Sequence, residues 1–151
     1  MASIRERHEV YSPPAGTPDK TRDSLAAEPD LEMVAMVRKG ASRSALKRLQ
    51  SCLDIGPVEA ARLLRISPRT LERRRGQPHL EPGETDRIVS VLGVFREAEE
   101  LFGGHEDKAR QWLKSPLPAL GESRPLDLLD TETGTRLVRD LIGQLSHGVF
   151  V

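Results

Sequence analysis

Apolar residues recur every three or four positions along most of this chain of 151 residues. That spacing places side chains on one face of an α-helix, and no segment shows the period-two alternation of a half-buried strand. We therefore predict an all-α fold. The predicted helices span about residues 31–39, 44–53, 57–64, 68–75, 82–102, 105–114 and 131–147.

Helix-breaking residues divide the chain into a tail and two small domains. Residues 1–29 lack a sustained apolar period and contain a proline-rich stretch, so we predict a flexible N-terminal tail there. The basic helices that follow suggest one domain over residues 30–79. The long helix and the helices after it suggest a second domain over residues 80–151.

The apolar pattern also predicts which side chains form the core. In the third helix we expect Val58, Ala61 and Leu64 to be buried. Trp112 shares a helical face with other apolar residues, so we expect it in the core as well. The apolar run 125–129 is too short for a typical helix, and we expect its three leucines to complete the chain's own core: Leu126, Leu128 and Leu129.

Positive charge is concentrated in one segment, although the formal net charge of the chain is zero. Residues 38–75 carry 11 basic and 3 acidic side chains, a net charge of +8. Residues 76–151 carry 8 and 13, and residues 1–37 carry 4 and 7. A confined basic segment of this kind indicates a polyanionic partner such as nucleic acid.

The basic segment contains the layout of a helix-turn-helix between residues 59 and 74. Ala61 is small enough for two helices to cross closely, and Ser67 and Pro68 are favourable at the N-terminal end of the second helix. Arg65 stands in the turn, where such motifs often carry a glycine in the left-handed conformation. A solvated helical bundle with arginines on its surface is the alternative interpretation.

The second helix of this motif supplies the predicted DNA contacts. Residues near the N-terminal end of a recognition helix meet base edges, so Arg69, Thr70 and Arg73 are the candidates for base contacts. Arg65, Arg74 and Arg75 are the candidates for phosphate contacts. Together with the cap residue, the predicted DNA-binding set is Arg65, Ser67, Arg69, Thr70, Arg73, Arg74 and Arg75.

Several classes of function lack the residues they need. Cys52 is the one cysteine, which leaves no internal disulfide and no cysteine-based zinc cluster, and His105 and His147 have no second ligand at helical spacing. We find no phosphate-binding glycine loop and no nucleophile–base pair. We therefore expect a cytoplasmic, non-enzymatic protein without a metal, a cofactor or a membrane span.

A series of short motifs, in order along the chain, identifies a family. Over about residues 31–151 the sequence resembles the Xre/MbcA/ParS-type antitoxins that pair with RES-domain toxins. The resemblance rests on Ser67-Pro68-Arg69-Thr70-Leu71, Glu84-Thr85-Asp86-Arg87, Ala98-Glu99-Glu100-Leu101-Phe102-Gly103, Trp112-Leu113, Pro116 with Ala119-Leu120-Gly121, Pro125-Leu126-Asp127-Leu128-Leu129, Thr131, Gly134 and Gly148-Val149. Two positions depart from the family pattern, with Leu117 where Asn is common after proline and Glu122 where a second glycine is common.

The resemblance implies an antitoxin with a DNA-binding domain followed by a small helical toxin-binding domain. Such a protein binds operator DNA to repress its own operon and neutralises an NAD-depleting RES-domain toxin. The resemblance places the toxin contact at the C-terminal end, on His147, Gly148, Val149, Phe150 and Val151. For the last three residues, packing against the chain's own core remains an equal alternative.

Two other functions fit the same sequence. A helix-turn-helix transcriptional regulator without a toxin partner would make the same DNA contacts, and a chromosome-positioning or scaffold protein could share the fold. We expect a homodimer in each case, because one recognition helix contacts few base pairs. The helix predicted over residues 82–102 and the last helix are both candidates for the dimer interface.

Overall fold

The structure, a computed structural model, describes residues 37–148. Residues 37–39 are helical and end at Gly40, so most of the predicted helix over 31–39 lies outside the described residues, as do the predicted tail and Val149 to Val151. Seven α-helices follow: α1 (Arg43–Leu53), α2 (Pro57–Leu64), α3 (Pro68–Arg75), α4 (Pro82–Leu101), α5 (Glu106–Leu113), α6 (Pro125–Leu128) and α7 (Glu132–Ser146).

The all-α prediction is confirmed for this part of the chain. Between residues 37 and 148 the only β-type pairings are two isolated bridges, Ser42 with His79 and Leu117 with Ser123. A short 3-10 helix, Pro118–Leu120, connects α5 to α6. None of the described helices is long and apolar enough to span a bilayer.

Proline and small polar residues begin the helices, as the sequence predicts. Pro57, Pro68 and Pro82 each stand at the start of a helix, where the absent N–H leaves no hydrogen bond unmade. The Ser67 hydroxyl accepts a hydrogen bond from the backbone N–H of Thr70 at 3.1 Å. This cap fixes the direction in which α3 leaves the turn.

The long helix α4 is the centre of the fold. It packs against α1 and α2, which precede it in the chain, and against α5 and α7, which follow it. Its buried apolar residues belong to the same core cluster as the leucines of α1 and α2: Ile88, Val91, Leu92, Val94, Phe95 and Ala98. The two predicted domains therefore share one continuous core, and the predicted boundary at residue 80 lies just before α4.

Most of the predicted core is confirmed. Leu126 and Leu129 are fully buried and Leu128 packs at the edge of the core, although Pro125–Leu128 forms one helical turn that we did not predict. Trp112 is partly buried and its ring centroid lies 6.3 Å from that of Phe102.

The prediction for Val58 is wrong, since this side chain is 70% exposed. It lies in the first turn of α2, beside Gly56 and Pro57, which are also exposed. Ala61 and Leu64 of the same helix are buried, so the apolar spacing continues past the end of the core.

Candidate functional site

Helix α3 presents a basic surface to solvent. Leu71 is fully buried and anchors the helix, whereas Arg69 and Arg73 are exposed on the outer side. Neither arginine has a hydrogen-bond or ion-pair partner among residues 37–148. Two unpaired guanidinium groups on the second helix of a helix-turn-helix are available to bases and phosphates.

The turn between α2 and α3 uses the left-handed conformation that this motif requires. Arg65 has φ of +59°, and its N–H donates to the carbonyl of Arg62 while the N–H of Ile66 donates to the carbonyl of Ala61. An arginine in this conformation carries a small energetic cost that a glycine would avoid. Its Nε donates to the carbonyl oxygen of Asp130 at 2.8 Å, which partly offsets that cost.

The structure assigns Arg74 to the protein interior and not to the phosphate contacts that we predicted. Its Nε donates to the two carboxylate oxygens of Glu84 at 2.8 and 3.1 Å, and its Nη1 donates to Gln77 at 2.9 Å. Glu84 is buried, and its hydrogen bond with Arg74 raises the pKa of the guanidinium. Because Arg74 fastens α3 to α4, we remove it from the DNA-contact set.

The remaining predicted contacts lie at the two ends of α3. The hydroxyls of Ser67 and Thr70 lie 2.9 Å apart at the N-terminal end, where Thr70 is half-buried. Arg75 at the C-terminal end donates to Glu72 at 2.8 Å and remains exposed. The cations that α3 leaves exposed are therefore Arg69, Arg73 and Arg75.

A group of ion pairs joins α2 to the segment before α7. Arg62 lies 3.4 Å from Asp127 and 3.4 Å from Asp130. Arg124 lies 2.7 Å from Asp127 and 3.2 Å from Glu59. Hydrogen bonding from Arg124 is the main reason why the pKa of Asp127 lies below its usual range. Arg62 is thus paired within the chain, and acidic residues of the second half neutralise part of the charge of the basic segment.

Arg87 of α4 is a buried link between the same two regions. Its Nε donates to the carbonyl oxygen of Leu63 at 3.2 Å and its Nη2 donates to that of Leu129. Its Nη1 lies 3.6 Å from the carboxylate of Glu132. Burial lowers the pKa of this guanidinium. Sequence reasoning missed these contacts, because their partners stand 24 to 45 positions away along the chain.

The predicted toxin-contact residues lie at the end of α7, and the structure describes two of them. His147 and Gly148 are exposed, and the His147 Nδ1 lies 2.6 Å from the carbonyl oxygen of Gly143. Gly148 has φ of +70°, the left-handed conformation that is common just after the end of a helix. Val149, Phe150 and Val151 lie outside the described residues.

Between residues 37 and 148 no cluster of three or more His, Cys, Asp or Glu side chains could hold a metal ion. Cys52 is half-buried, and burial is the main cause that raises the pKa of its thiol.

Comparison with known proteins connects this geometry to a family. Residues 32–93 match the Antitoxin Xre-like helix-turn-helix domain, and residues 97–148 match the Antitoxin Xre/MbcA/ParS C-terminal toxin-binding domain. The chain is 37% identical over 127 residues to an Antitoxin Xre of Yersinia enterocolitica, covering 83% of this chain and 86% of the relative. The chain belongs to the Xre family of antitoxins.

Two further relatives agree with this family. An Antitoxin Xre of Photorhabdus laumondii is 34% identical over 116 residues, 76% of this chain and 78% of the relative. A Prs ADP-ribosylating antitoxin of a Sphingobium species is 27% identical over 145 residues, 89% of this chain and 91% of the relative. In this Xre-family chain, the helix-turn-helix match covers α1 to α3 and the first part of α4, and the toxin-binding match covers the rest of α4 and the helices after it.

Proposed function

We propose that this Xre-family antitoxin binds operator DNA through α3 and neutralises an NAD-depleting RES-domain toxin through its C-terminal end. It acts by binding, without a catalytic step or a cofactor, as a homodimer in the cytoplasm. The exposed, unpaired Arg69 and Arg73 on the second helix of a helix-turn-helix carry the DNA half of this proposal.

The DNA-contact set follows from the side chains that α3 and its cap leave accessible. Arg69, Thr70 and Arg73 supply base contacts, and Arg75 supplies a phosphate contact. At the N-terminal end of α3 Pro68 has no N–H and the N–H groups of Thr70 and Leu71 donate to Ser67, so the backbone N–H of Arg69 is the one left for a phosphate oxygen. Arg65 contributes positive potential next to the turn, although its Nε is held by Asp130.

The toxin half of the proposal rests on the match of residues 97–148 to a toxin-binding domain. His147 and Gly148 are exposed at the end of α7, and the backbone of Gly148 is left-handed, with φ of +70°. We assign the toxin contact to these two residues together with Val149, Phe150 and Val151, because an aromatic side chain such as Phe150 is a suitable anchor for a partner's pocket. A relative named for ADP-ribosylation also favours a partner that consumes NAD, since NAD is the usual donor in that chemistry.

A homodimer would place two α3 helices one helical turn apart on a pseudo-palindromic operator. Of the two helices considered for the interface, α4 is buried between the other helices. Helix α7 keeps Leu137 49% exposed beside its buried face. We therefore favour α7 for the dimer contact.

The DNA half is tested by titrating the protein against its own promoter region and against a random duplex of equal length. We expect Arg73→Ala to weaken binding to the promoter more than to the random duplex, and Arg75→Ala to weaken both equally. Lys108→Ala, which removes an exposed and unpaired basic side chain of α5, is the control. Equal losses on both duplexes for Arg73→Ala would remove it from the base contacts.

The toxin half is tested by co-expressing the chain with the product of the adjacent reading frame. We expect growth arrest and loss of cellular NAD when the antitoxin is omitted, and co-purification of the two proteins when it is present. Removal of residues 147–151 should abolish protection. A harmless neighbour that does not co-purify would leave a DNA-binding regulator without a toxin partner.

A further inference from the structure

A positively charged cleft lies beside the C-terminal end of α3. It has a volume of about 450 Å³ and is lined by Arg43, Leu46, Lys47, Gln50 and Arg75. The first four residues belong to α1, where none of the sequence-based DNA contacts lies. No acidic side chain lines the cleft, so its walls favour an anion.

The cleft is built by the regular spacing of α1. Arg43, Lys47 and Gln50 stand at positions i, i+4 and i+7 and therefore share one face of the helix. Leu46 is 2% exposed and forms an apolar floor between that face and the core. The cations at the rim are consequently supported by packed structure and not by a loose loop.

The two α1 cations differ in how they are held. The Arg43 Nη1 donates to the carbonyl oxygen of Arg75 at 3.4 Å, which orients the guanidinium across the cleft. Lys47 is exposed and has no hydrogen-bond or ion-pair partner among residues 37–148. Because Glu72 pairs with the Arg75 guanidinium, the uncompensated charge of the cleft comes from Arg43 and Lys47.

We propose that this cleft binds a phosphate of the DNA backbone at the edge of the groove that α3 occupies, with Arg43 and Lys47 as the contacts. Arg69 and Arg75 are six residues apart, about 9 Å along the helix axis. The major groove is about 12 Å wide, so an α3 placed across it would bring the cleft at its far end close to the phosphates that border the groove. This inference rests on the proposed DNA binding by α3.

The salt dependence of binding to a random-sequence duplex measures this contact, because phosphate contacts do not depend on sequence. Each lost contact makes the slope of log K against log salt concentration less negative by about 0.9, equal to about 3.5-fold less affinity loss over a fourfold rise in salt. We expect this change for Lys47→Ala and again for Arg43→Ala. Lys47→Arg should retain the slope of the unaltered protein.

The control is Lys108→Ala, which removes the same charge from an exposed and unpaired lysine on α5. Its slope should equal that of the unaltered protein, and a thermal melt of each variant checks that the fold is intact. Arg43→Ala also removes the hydrogen bond to the carbonyl oxygen of Arg75 and could loosen the end of α3. Lys47→Ala breaks no such bond, so its slope tests the phosphate contact on its own.

The possible outcomes separate this inference from the proposed function. If Arg69→Ala and Arg73→Ala weaken duplex binding while Lys47→Ala and Arg43→Ala keep the original slope, α3 binds DNA and the cleft does not. If the unaltered protein fails to bind the duplex even at low salt, both proposals fall. If Lys108→Ala changes the slope as much as Lys47→Ala, the effect is one of net charge and the cleft assignment is wrong.

Discussion

Replacing Arg87 with methionine tests whether the helix-turn-helix and the segment before α7 are held together by one buried side chain. Methionine keeps the apolar stem of the side chain and removes the guanidinium. The carbonyl oxygens of Leu63 and Leu129 would each lose the hydrogen bond that Arg87 donates. Leu63 lies in the last turn of α2, where carbonyl groups have no partner within the helix.

The expected loss in the free energy of unfolding follows from these two carbonyl groups. Leaving a buried acceptor without a partner costs about 1–3 kcal/mol, so two would cost about 2–6 kcal/mol. The substitution also removes a buried charge whose own desolvation was unfavourable, which favours the lower half of that range. A loss of about 2–4 kcal/mol corresponds to a decrease in Tm of about 4–16 °C for a chain of this length.

Circular dichroism melts of the two proteins at the same concentration measure this difference. Arg73→Met is the matched control, because Arg73 is an exposed arginine of α3 without a partner among the described residues and the melts contain no DNA. Its Tm should stay within about 1 °C of the original, as expected for a neutral surface substitution. A Tm for Arg87→Met equal to that of the control would show that the buried hydrogen bonds do not stabilise the fold.

Three further predictions concern stability. Arg74→Ala should lower Tm, because the buried Glu84 carboxylate loses its main partner, and Glu84→Gln in the same chain should restore part of the loss. Gly134→Ala should lower the free energy of unfolding by about 1–3 kcal/mol in a denaturant titration, because its Cβ would lie 2.0 Å from the backbone oxygen of Leu128. The control is Gly143→Ala in the same helix, whose Cβ meets nothing within 4 Å, and this variant should be neutral or stabilising. The depressed pKa of Asp127 contributes stability at pH above about 4, which is lost as the pH falls through the folded-state pKa. Asp127→Asn should remove that acid-dependent loss, and because the side chain is 40% exposed we expect less than about 1 kcal/mol.

The helices could be predicted from the sequence because their signals are local. Ser67 caps α3 and Pro82 starts α4 as expected, and the buried face of α1 has the expected apolar spacing. Even the turn at Arg65 follows the geometry typical of the motif, although the residue is not glycine. Glu122 likewise adopts a φ of +64° at a position where the family commonly carries glycine.

Which arginines stay exposed and which pair within the chain could not be predicted in the same way. Arg73 and Arg74 are neighbours in the sequence and identical in chemistry, yet one is exposed and the other is held by a buried carboxylate. The difference depends on where α4 passes α3, which is a property of the packed structure. The Arg62–Asp127 and Arg124–Glu59 pairs each join residues 65 positions apart, beyond the reach of any local pattern.

The basic residues of the segment 38–75 therefore fall into two groups. Arg62, Arg65 and Arg74 of this segment bond to carboxylates or carbonyl groups of the acidic part of the chain. Those bonds hold the helix-turn-helix against α4 and the start of α7, so the acidic excess of the second half is partly neutralised by the first half. If the proposed DNA binding holds, the cations available to DNA lie on the outer side of α3 and in the cleft beside it. Their number, not the segment's net charge of +8, then sets how many phosphates each chain can neutralise.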